Sequence, residues 1–339
     1  MKIDTQLRDL APDQIAGQAA RFEKLGFDGI WTFEAAHDAF LPLAVCATTT
    51  KHVALGTNIS VAFGRSPFAM AQTAWDLQAA CGGRFILGLG TQVRAHVERR
   101  YSMVFDHPAA RITDYVRCVR AIWDTYQNDT TPKYEGPFYK FTLINPFFSA
   151  GPIEHPDIPI FLAGINERMC RAAGEVADGF HVHPMNSRGY LRDVVRPAID
   201  AGAKTRGKTV KDVALHAPIF TATGETQAEV DEMVEEVRRQ FSFYASTPNY
   251  RALLEYHGYP ELGKELSKHA RVGDWGAMAA LVPDKLLFEV AVVAKFKELP
   301  KAIHERYDGV LDRVSMYFPI KAADPDAPWK GFTKSFRAA

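Results

Sequence analysis

The feature that most constrains the fold is a regular alternation of short apolar segments with segments of helical pattern. Eight apolar segments have the length and composition of buried strands: residues 3–7, 28–33, 53–61, 85–89, 158–163, 179–182, 213–221 and 313–318. Strands that alternate with helices form parallel sheets, and eight such units fit a closed barrel better than an open sheet. The alternation therefore predicts an α/β fold, a (β/α)8 barrel of the TIM type.

Local signals mark several helix ends. Pro12 and Gly26 bound a first helix, and Ser66-Pro67 begins another that Gly82-Gly83 ends. Thr226 and Glu229 have the spacing of a capping box, so a helix is predicted directly after them. The segment from 319 to 339 is rich in Pro, Lys and Asp and shows no clear eighth helix.

The domain prediction is a single barrel over residues 1–339, because barrels of this kind exceed the usual size of one core. Two segments, about 129–157 and 246–283, interrupt the repeat. Insertions on the C-terminal side of strands usually shape the substrate entrance, so both are lid candidates. The first contains six aromatic residues, Tyr134, Phe138, Tyr139, Phe141, Phe147 and Phe148. They favour an apolar or aromatic substrate over a sugar phosphate, unless they only pack against the barrel.

Composition restricts the classes of partner. Lys and Arg total 40, as do Asp and Glu, so no net field attracts nucleic acid or anionic lipid. The sequence has no signal-like start and no apolar run of membrane-spanning length, so a soluble cytoplasmic protein is expected, without nucleic-acid or membrane partners. Its four cysteines are far apart and are expected to be buried free thiols.

Residues 55–92 carry the most specific pattern in the chain. It contains Leu55-Gly56-Thr57, Arg65-Ser66-Pro67, Ala71-Gln72, and Gly83-Arg84 through Gly90-Thr91. This segment resembles the luciferase-like monooxygenase superfamily, in particular its coenzyme F420 (deazaflavin)-dependent oxidoreductases, and weaker similarity extends over most of the chain. The resemblance implies a luciferase-like barrel that transfers a hydride between F420 and a small organic substrate. An FMNH2-dependent monooxygenase is the alternative, and a homodimer is expected.

Candidate cofactor residues follow from the strand ends and from the resemblance. Glycines near Gly90 would let a flat ring approach the backbone beside Thr91 and Gln92. The resemblance implies a non-prolyl cis peptide bond at Asn58-Ile59, against which the ring would rest. Gly164-Ile165-Asn166 lies between an apolar strand and a helix, where free amides could hold the cofactor phosphate, as the corresponding backbone does in the family.

Candidate catalytic residues lie where barrel enzymes place them. Glu34 and His37 follow the second strand, and either could take a proton from the substrate. The alternative is that Glu34 and Asp38 only cap the next helix. In deazaflavin-dependent sugar-phosphate dehydrogenases a glutamate follows Thr-Gly after the fourth strand, whereas this chain has Thr91-Gln92-Val93. Such a dehydrogenase is therefore disfavoured, and the amide of Gln92 is a third catalytic candidate.

His181 and His183 alternate on one strand, so their side chains point the same way and could line the cofactor edge. Two histidines at this spacing also suggest metal ligands, as in zinc-dependent barrel hydrolases, but no acidic partner follows. No metal site is therefore predicted. A barrel that binds a flavin without turning it over is a further alternative.

Overall fold

The computed structural model describes residues 1–8 and 11–339. Eight parallel strands form one sheet in which each strand follows its predecessor in the chain. They are β1 (Lys2–Gln6), β2 (Gly29–Thr32), β3 (Ala54–Thr57), β4 (Phe85–Gly90), β5 (Ile160–Gly164), β6 (Gly179–Val182), β7 (Ala214–Ile219) and β8 (Arg313–Met316). The first strand pairs with the last, Ile3 opposite Val314, and β3 pairs with β4, Gly56 opposite Ile86. The sheet is thus closed, and the predicted barrel is confirmed.

Helices surround this barrel. Outside the two interrupting segments, those of eight residues or more are α1 (Ile15–Leu25), α2 (Leu41–Thr49), α3 (Pro67–Ala80), α4 (Pro108–Asn128), α5 (Glu167–Val176), α6 (Arg196–Ala203), α7 (Gln227–Ala245), α8 (Leu299–Tyr307) and α9 (Asp326–Ala338). The capping box of Thr226 and Glu229 is formed at the start of α7. None of the helices in the described residues is long and apolar enough to cross a bilayer.

The expectation for the segment after residue 318 was wrong, because α9 completes the outer layer. Its apolar face buries Trp329, Phe332 and Phe336. The hydroxyl of Thr333 donates to the carbonyl of Leu25 at the end of α1. The helical period of the apolar residues was hard to recognise in the sequence, because Pro325 immediately precedes the helix and charged residues occupy its outer face.

The barrel interior holds a polar cluster instead of purely aliphatic layers. Asp4 accepts two hydrogen bonds from Arg313, at 2.8 and 2.7 Å, and a third from the indole Nε1 of Trp31 at 2.9 Å. Glycine makes room for the indole, since a β-carbon at Gly56 would lie 2.3 Å from the Trp31 ring. The buried charge of Asp4 is therefore compensated within the core, as a buried ion pair requires.

The two interrupting segments have different structures. The first forms a hairpin (Tyr134–Glu135 with Lys140–Phe141) and a short 3-10 helix (Pro146–Phe148). The second holds a 3-10 turn (Pro248–Tyr250) and three helices (Arg251–Tyr256, Leu262–Val272 and Trp275–Ala280).

The hairpin is attached to the helical layer. Asp114 of α4 accepts hydrogen bonds from the amides of Phe138 and Tyr139 and from the hydroxyl of Tyr134. Phe147 and Phe148 contact each other and remain 87% and 57% exposed. Most aromatic residues of this segment are thus used in packing, and they no longer support an apolar substrate.

The four cysteines are buried free thiols in the described structure, as expected. Burial raises the pKa of Cys46 to about 12 and that of Cys118 to about 11. These side chains therefore act as small apolar groups.

Candidate active site

A backbone shelf, residues 57–59, interrupts the strand that the sequence predicted over 53–61. The chain is extended to Thr57, and a two-residue strand, Ser60–Val61, follows the break. The peptide bond between Asn58 and Ile59 is cis, as predicted. The Asn58 amide donates to Thr32 at 2.6 Å, and the Ile59 carbonyl accepts from Glu34 at 2.9 Å. Asn58 and Ile59 are half-buried at the barrel mouth, the C-terminal ends of the strands.

The glycines of β4 accommodate this shelf. A β-carbon at Gly88 would lie 1.7 Å from the carbonyl oxygen of Thr57, and one at Gly90 would lie 2.7 Å from the side chain of Ile59. The hydroxyl of Thr57 exchanges hydrogen bonds with the Gly88 backbone, at 2.6 and 2.9 Å. The sequence predicted that these glycines would let a flat ring contact the backbone. In the structure they instead make room for the shelf.

Glu34 lies beside the shelf with a fully occupied carboxylate. It accepts hydrogen bonds from the Ser60 hydroxyl (2.8 Å), the Val61 amide (2.8 Å), the Arg65 guanidinium (2.7 and 2.8 Å) and the Tyr101 hydroxyl (2.9 Å). Burial alone would raise its pKa, but the hydrogen bonds from Arg65, Val61 and Ser60 outweigh burial and lower the pKa. Glu34 is therefore ionised at neutral pH, and its surroundings disfavour the predicted role in proton transfer.

Asp38 and His37 continue this loop. Asp38 accepts from the amides of Phe40 (2.7 Å) and Leu41 (3.0 Å) at the start of α2, and its second oxygen pairs with Arg65 at 2.6 Å. The capping alternative thus describes Asp38. His37 is exposed, so the structure gives its imidazole no fixed orientation toward the shelf.

The loop after β4 contains the third catalytic candidate. Gln92 has a positive φ of 58°, a conformation that non-glycine residues seldom adopt and that is frequent at functional sites. Its side-chain oxygen accepts from the Val93 amide at 3.1 Å, and Thr91 beside it is half-buried. Gln92 and Thr91 therefore lie at the mouth next to Gly90, whereas His96 is exposed on the following short helix.

The predicted phosphate end lies at the start of α5. The side chain of Asn166 accepts from the Met169 amide at 3.0 Å and caps the helix, as predicted. Asn166 is exposed and Ile165 is half-buried, so the amides of the first turn face an accessible part of the mouth. A β-carbon at Gly164 would lie 2.4 Å from that of Met169. Gly164 is thus required for the close approach of strand and helix.

The two strand histidines occupy different environments. His181 is buried in the barrel interior, where its Nδ1 lies 2.9 Å from Nδ1 of His216. Its Nε2 and the Thr57 carbonyl oxygen both lie close to Gly88, beneath the shelf. Burial lowers the pKa of His181 and of His216 well below the usual value, so both rings are neutral. The shelf therefore lies between His181 and a cofactor bound at the mouth, and it would prevent direct contact between the two.

His183 lies at the mouth with both nitrogens engaged. Its Nδ1 accepts from the Met185 amide at 3.1 Å, and its Nε2 lies 2.9 Å from the hydroxyl of Tyr250. Burial lowers the pKa of His183 to about 3. The neutral ring must carry its proton on Nε2, because Nδ1 is an acceptor. No lone pair then remains for a metal ion, which removes the physical basis for the zinc interpretation.

Sequence reasoning missed several residues of the mouth. Arg65 was noted only as part of a helix start, although it joins the loops after β2 and β3. Tyr250 belongs to the second insertion, and only the fold brings it to His183. Arg8 is the second residue after β1, and a charged residue just beyond the C-terminal end of a barrel strand is a signal that the sequence did contain.

Comparison with known proteins adds the decisive observation. Residues 3–313 match the model of the family described as luciferase-like monooxygenase. The chain belongs to this family. A protein of Mycobacterium tuberculosis without an assigned function is 42% identical over 310 residues, which are 91% of each chain. The 5,10-methylenetetrahydromethanopterin reductase of Methanolobus tindarius is 25% identical over 311 residues, 91% of this chain and 90% of the reductase.

A solved structure shows the same fold over the full length. The coenzyme F420-dependent tetrahydromethanopterin reductase of Methanopyrus kandleri superposes with a TM-score of 0.79 at 22% identity, covering 99% of this chain and 98% of the reductase. The family match and the sequence relatives together show that the chain is an enzyme, an oxidoreductase built on a TIM barrel.

Proposed function

We propose that this enzyme transfers a hydride between a deazaflavin cofactor of the F420 type and an organic substrate. The observation that carries the proposal is the adjacency of two features at the mouth. The half-buried shelf at Asn58 and Ile59 lies beside Gly90, Thr91 and Gln92, and the accessible first turn of α5 begins two strand ends away from the shelf. A flat ring system with a phosphate-bearing tail needs both. The sequence relatives named as F420-dependent enzymes favour deazaflavin over FMN.

The residues present fit such a cofactor. Asn58 and Ile59 would support the ring, Gly90, Thr91 and Gln92 would lie along it, and Gly164, Ile165 and Asn166 would hold the phosphate through free amides of the α5 N-terminus. His183 would border the site, and His181 would support the shelf from below. When bound, the deazaflavin supplies the carbon centre that accepts or releases the hydride. The chain then forms one catalytic domain with two insertions.

Glu34 serves this function as a positioning residue. Its carboxylate joins Ser60 and Val61 behind the shelf to Arg65, so it fixes the shelf rather than exchanging a proton with the substrate. Of the predicted catalytic residues, Gln92 remains placed to orient the substrate, and His37 is exposed in the loop that carries Glu34.

Tyr250 is better suited to donate a proton. Since His183 donates from Nε2 to the Tyr250 oxygen, the phenolic hydrogen of Tyr250 is left for another acceptor. Burial raises the pKa of Tyr250, so the phenol stays protonated at neutral pH. We assign to Tyr250 Oη the hydrogen bond to the substrate oxygen whose charge changes during hydride transfer.

Direct binding measurements test the proposal. Purified protein is titrated with oxidised F420 and, separately, with FMN, and the cofactor fluorescence is followed. We expect micromolar or tighter binding of F420 and weaker binding of FMN. Tighter binding of FMN, with oxygen-dependent turnover of the reduced flavin, would instead assign the enzyme to the monooxygenases.

A further inference from the structure

Arg8 is a positive charge held at the mouth beyond the end of β1, which is separated from β3 and the shelf by β2. Its Nε donates to the side-chain oxygen of Gln6 at 3.0 Å. Its guanidinium carbon lies 5.2 Å from the centre of the Phe33 ring and 5.3 Å from the centre of the Tyr317 ring. These contacts fix the side chain and are of the cation–π type. Within residues 1–8 and 11–339, no carboxylate forms an ion pair with Arg8.

Two tyrosine hydroxyls lie beside Arg8 and, together with it, form a row of hydrogen-bond donors. The oxygens of Tyr244 and Tyr317 lie 2.7 Å apart, so they share one hydrogen bond. Two hydroxyls carry two hydrogens, and one hydrogen therefore remains for a ligand. Tyr317 also packs against Phe220, at 4.7 Å between ring centres, which holds the pair in place. The row consists of Arg8, Tyr317 and Tyr244.

Arg8 and Arg65 therefore differ in charge compensation and in the hydrogen-bonding capacity of the groups beside them. On the shelf side, Arg65 is neutralised by Glu34 and Asp38. On the Arg8 side, a guanidinium and a spare hydroxyl hydrogen occur between aromatic faces. Donors without an acceptor are satisfied by a ligand that brings oxygen lone pairs, and a carboxylate matches the planar fork of arginine.

We propose that Arg8, with the hydroxyl pair of Tyr317 and Tyr244, binds the carboxylate of the substrate, and that this substrate carries a planar or apolar body between Phe33 and the tyrosines. The proposal rests on the proposed function, since it defines the substrate side of the same mouth. It gives the enzyme a carboxylic acid as its substrate class.

The test compares acids with their amides. Full-length protein is titrated calorimetrically with benzoate and 3-phenylpropionate and with benzamide and 3-phenylpropionamide, which have the same shape without charge. At least one acid should bind about tenfold or more tightly than its amide, because hydrogen bonds to charged groups are the stronger ones. The advantage should shrink at high salt. Equal binding of acids and amides, or binding of neither, overturns the proposal.

Variants assign the effect to the row. Arg8→Gln should remove the preference for the acid, and Arg8→Lys should keep part of it. Arg94→Gln is the matched control, because Arg94 is exposed, forms an ion pair with Glu98 and, like Arg8, lies over an aromatic ring, that of Phe105. If Arg8→Gln does not fold, Tyr317→Phe replaces it and should weaken acid binding several-fold. An unchanged preference for the acid in folded Arg8→Gln overturns the assignment. If Tyr317→Phe is used instead, an unchanged preference in that variant overturns it.

Titration of the same preparations with F420 separates the two proposals. Acid preference without F420 binding supports the carboxylate site and contradicts the proposed cofactor. F420 binding without acid preference supports the cofactor and overturns the carboxylate site.

Discussion

Arg65 joins two loops of the mouth through Glu34, with Nη1 of Arg65 2.7 Å from Oε2 of Glu34. Its Nη2 lies 2.6 Å from Asp38, which caps α2. One guanidinium thus connects the loop after β2 to the segment that carries the shelf. The side chain of Glu34 is only 6% exposed, so this ion pair is shielded from solvent.

Glu34→Gln should lower the free energy of unfolding by roughly 2–4 kcal/mol at pH 7, because it leaves Arg65 partly unpaired. The pKa of Glu34 is lowered in the folded state, so its contribution is present above the unfolded value near 4.5 and is lost as pH falls through the folded value. Urea unfolding at pH 7 and pH 4 should show the gap between wild type and variant narrowing in acid. A gap that is constant with pH would contradict the ion-pair account.

Asn166→Asp should weaken F420 binding about tenfold while leaving the helix capped. Aspartate caps helices as well as asparagine does, but it adds a negative charge where the phosphate is proposed to bind. Asn166→Ser is the matched control, since it caps without charge. Equal F420 affinities of the two variants, measured by fluorescence titration, would move the phosphate elsewhere.

Tyr250→Phe should lower kcat by about 10²–10⁴-fold on any substrate that the enzyme reduces or oxidises, with F420 affinity nearly unchanged. The substitution removes only the hydroxyl, and His183 loses one hydrogen-bond partner. Steady-state kinetics with a parallel cofactor titration measure both effects. Phe243→Leu is a control from the exposed surface of α7 and should retain turnover. Near-normal kcat in Tyr250→Phe would contradict this assignment and leave His37 as the candidate for proton transfer.

His183→Gln should make the protein less sensitive to acid. The pKa of His183 is about 3 in the folded protein against an ordinary value of 6.5, so the unfolded chain binds more protons between these pH values. Stability contributed by the neutral ring is therefore lost as pH falls from about 6.5 toward 3. Glutamine can still accept from Met185 and donate to Tyr250 without titrating. Thermal unfolding between pH 7 and pH 4 should fall less steeply in the variant, and parallel curves would refute this account.

Gly88→Ala should destabilise the barrel by about 3 kcal/mol or more, because the new methyl group would meet the Thr57 carbonyl oxygen at 1.7 Å. Gly17→Ala is the matched control, since Gly17 is exposed on α1 with no atom within 4 Å of a β-carbon. That substitution should stabilise by about 0.5–1 kcal/mol. Chemical denaturation of both variants makes the comparison, and a tolerated alanine at position 88 would show that the shelf can move away from β4.

The barrel was predictable because its signals are local. Each buried strand is a short apolar run, and helix ends carry their own residues, as Ser66 does before α3, which its side chain caps. The sequence predicted one continuous strand over 53–61, whereas the shelf divides this segment into two strands. The hydrophobic pattern did not reveal the break, because apolar residues occur on both sides of it. The family resemblance, and not the hydrophobic pattern, located the break at Asn58 and Ile59.

The site was less predictable because its function depends on partners distant in sequence. Glu34 was found by its position at a strand end, but its protonation state is set by Arg65, 31 residues later in the chain. His183 was found by spacing, whereas its tautomer depends on Met185 and Tyr250. No local pattern encodes such pairings, and composition misled where the aromatic residues of the first insertion packed against α4.

The origin of Tyr250 in an insertion outside the barrel repeat has an evolutionary consequence. The loops beside the shelf are joined by Arg65 and Glu34 within the barrel itself, whereas Tyr250 comes from the insertion at 246–283. Exchange or remodelling of that insertion would change the groups offered to the substrate without disturbing the shelf. Descendants of such a chain can acquire new substrates while inheriting the same proposed cofactor site.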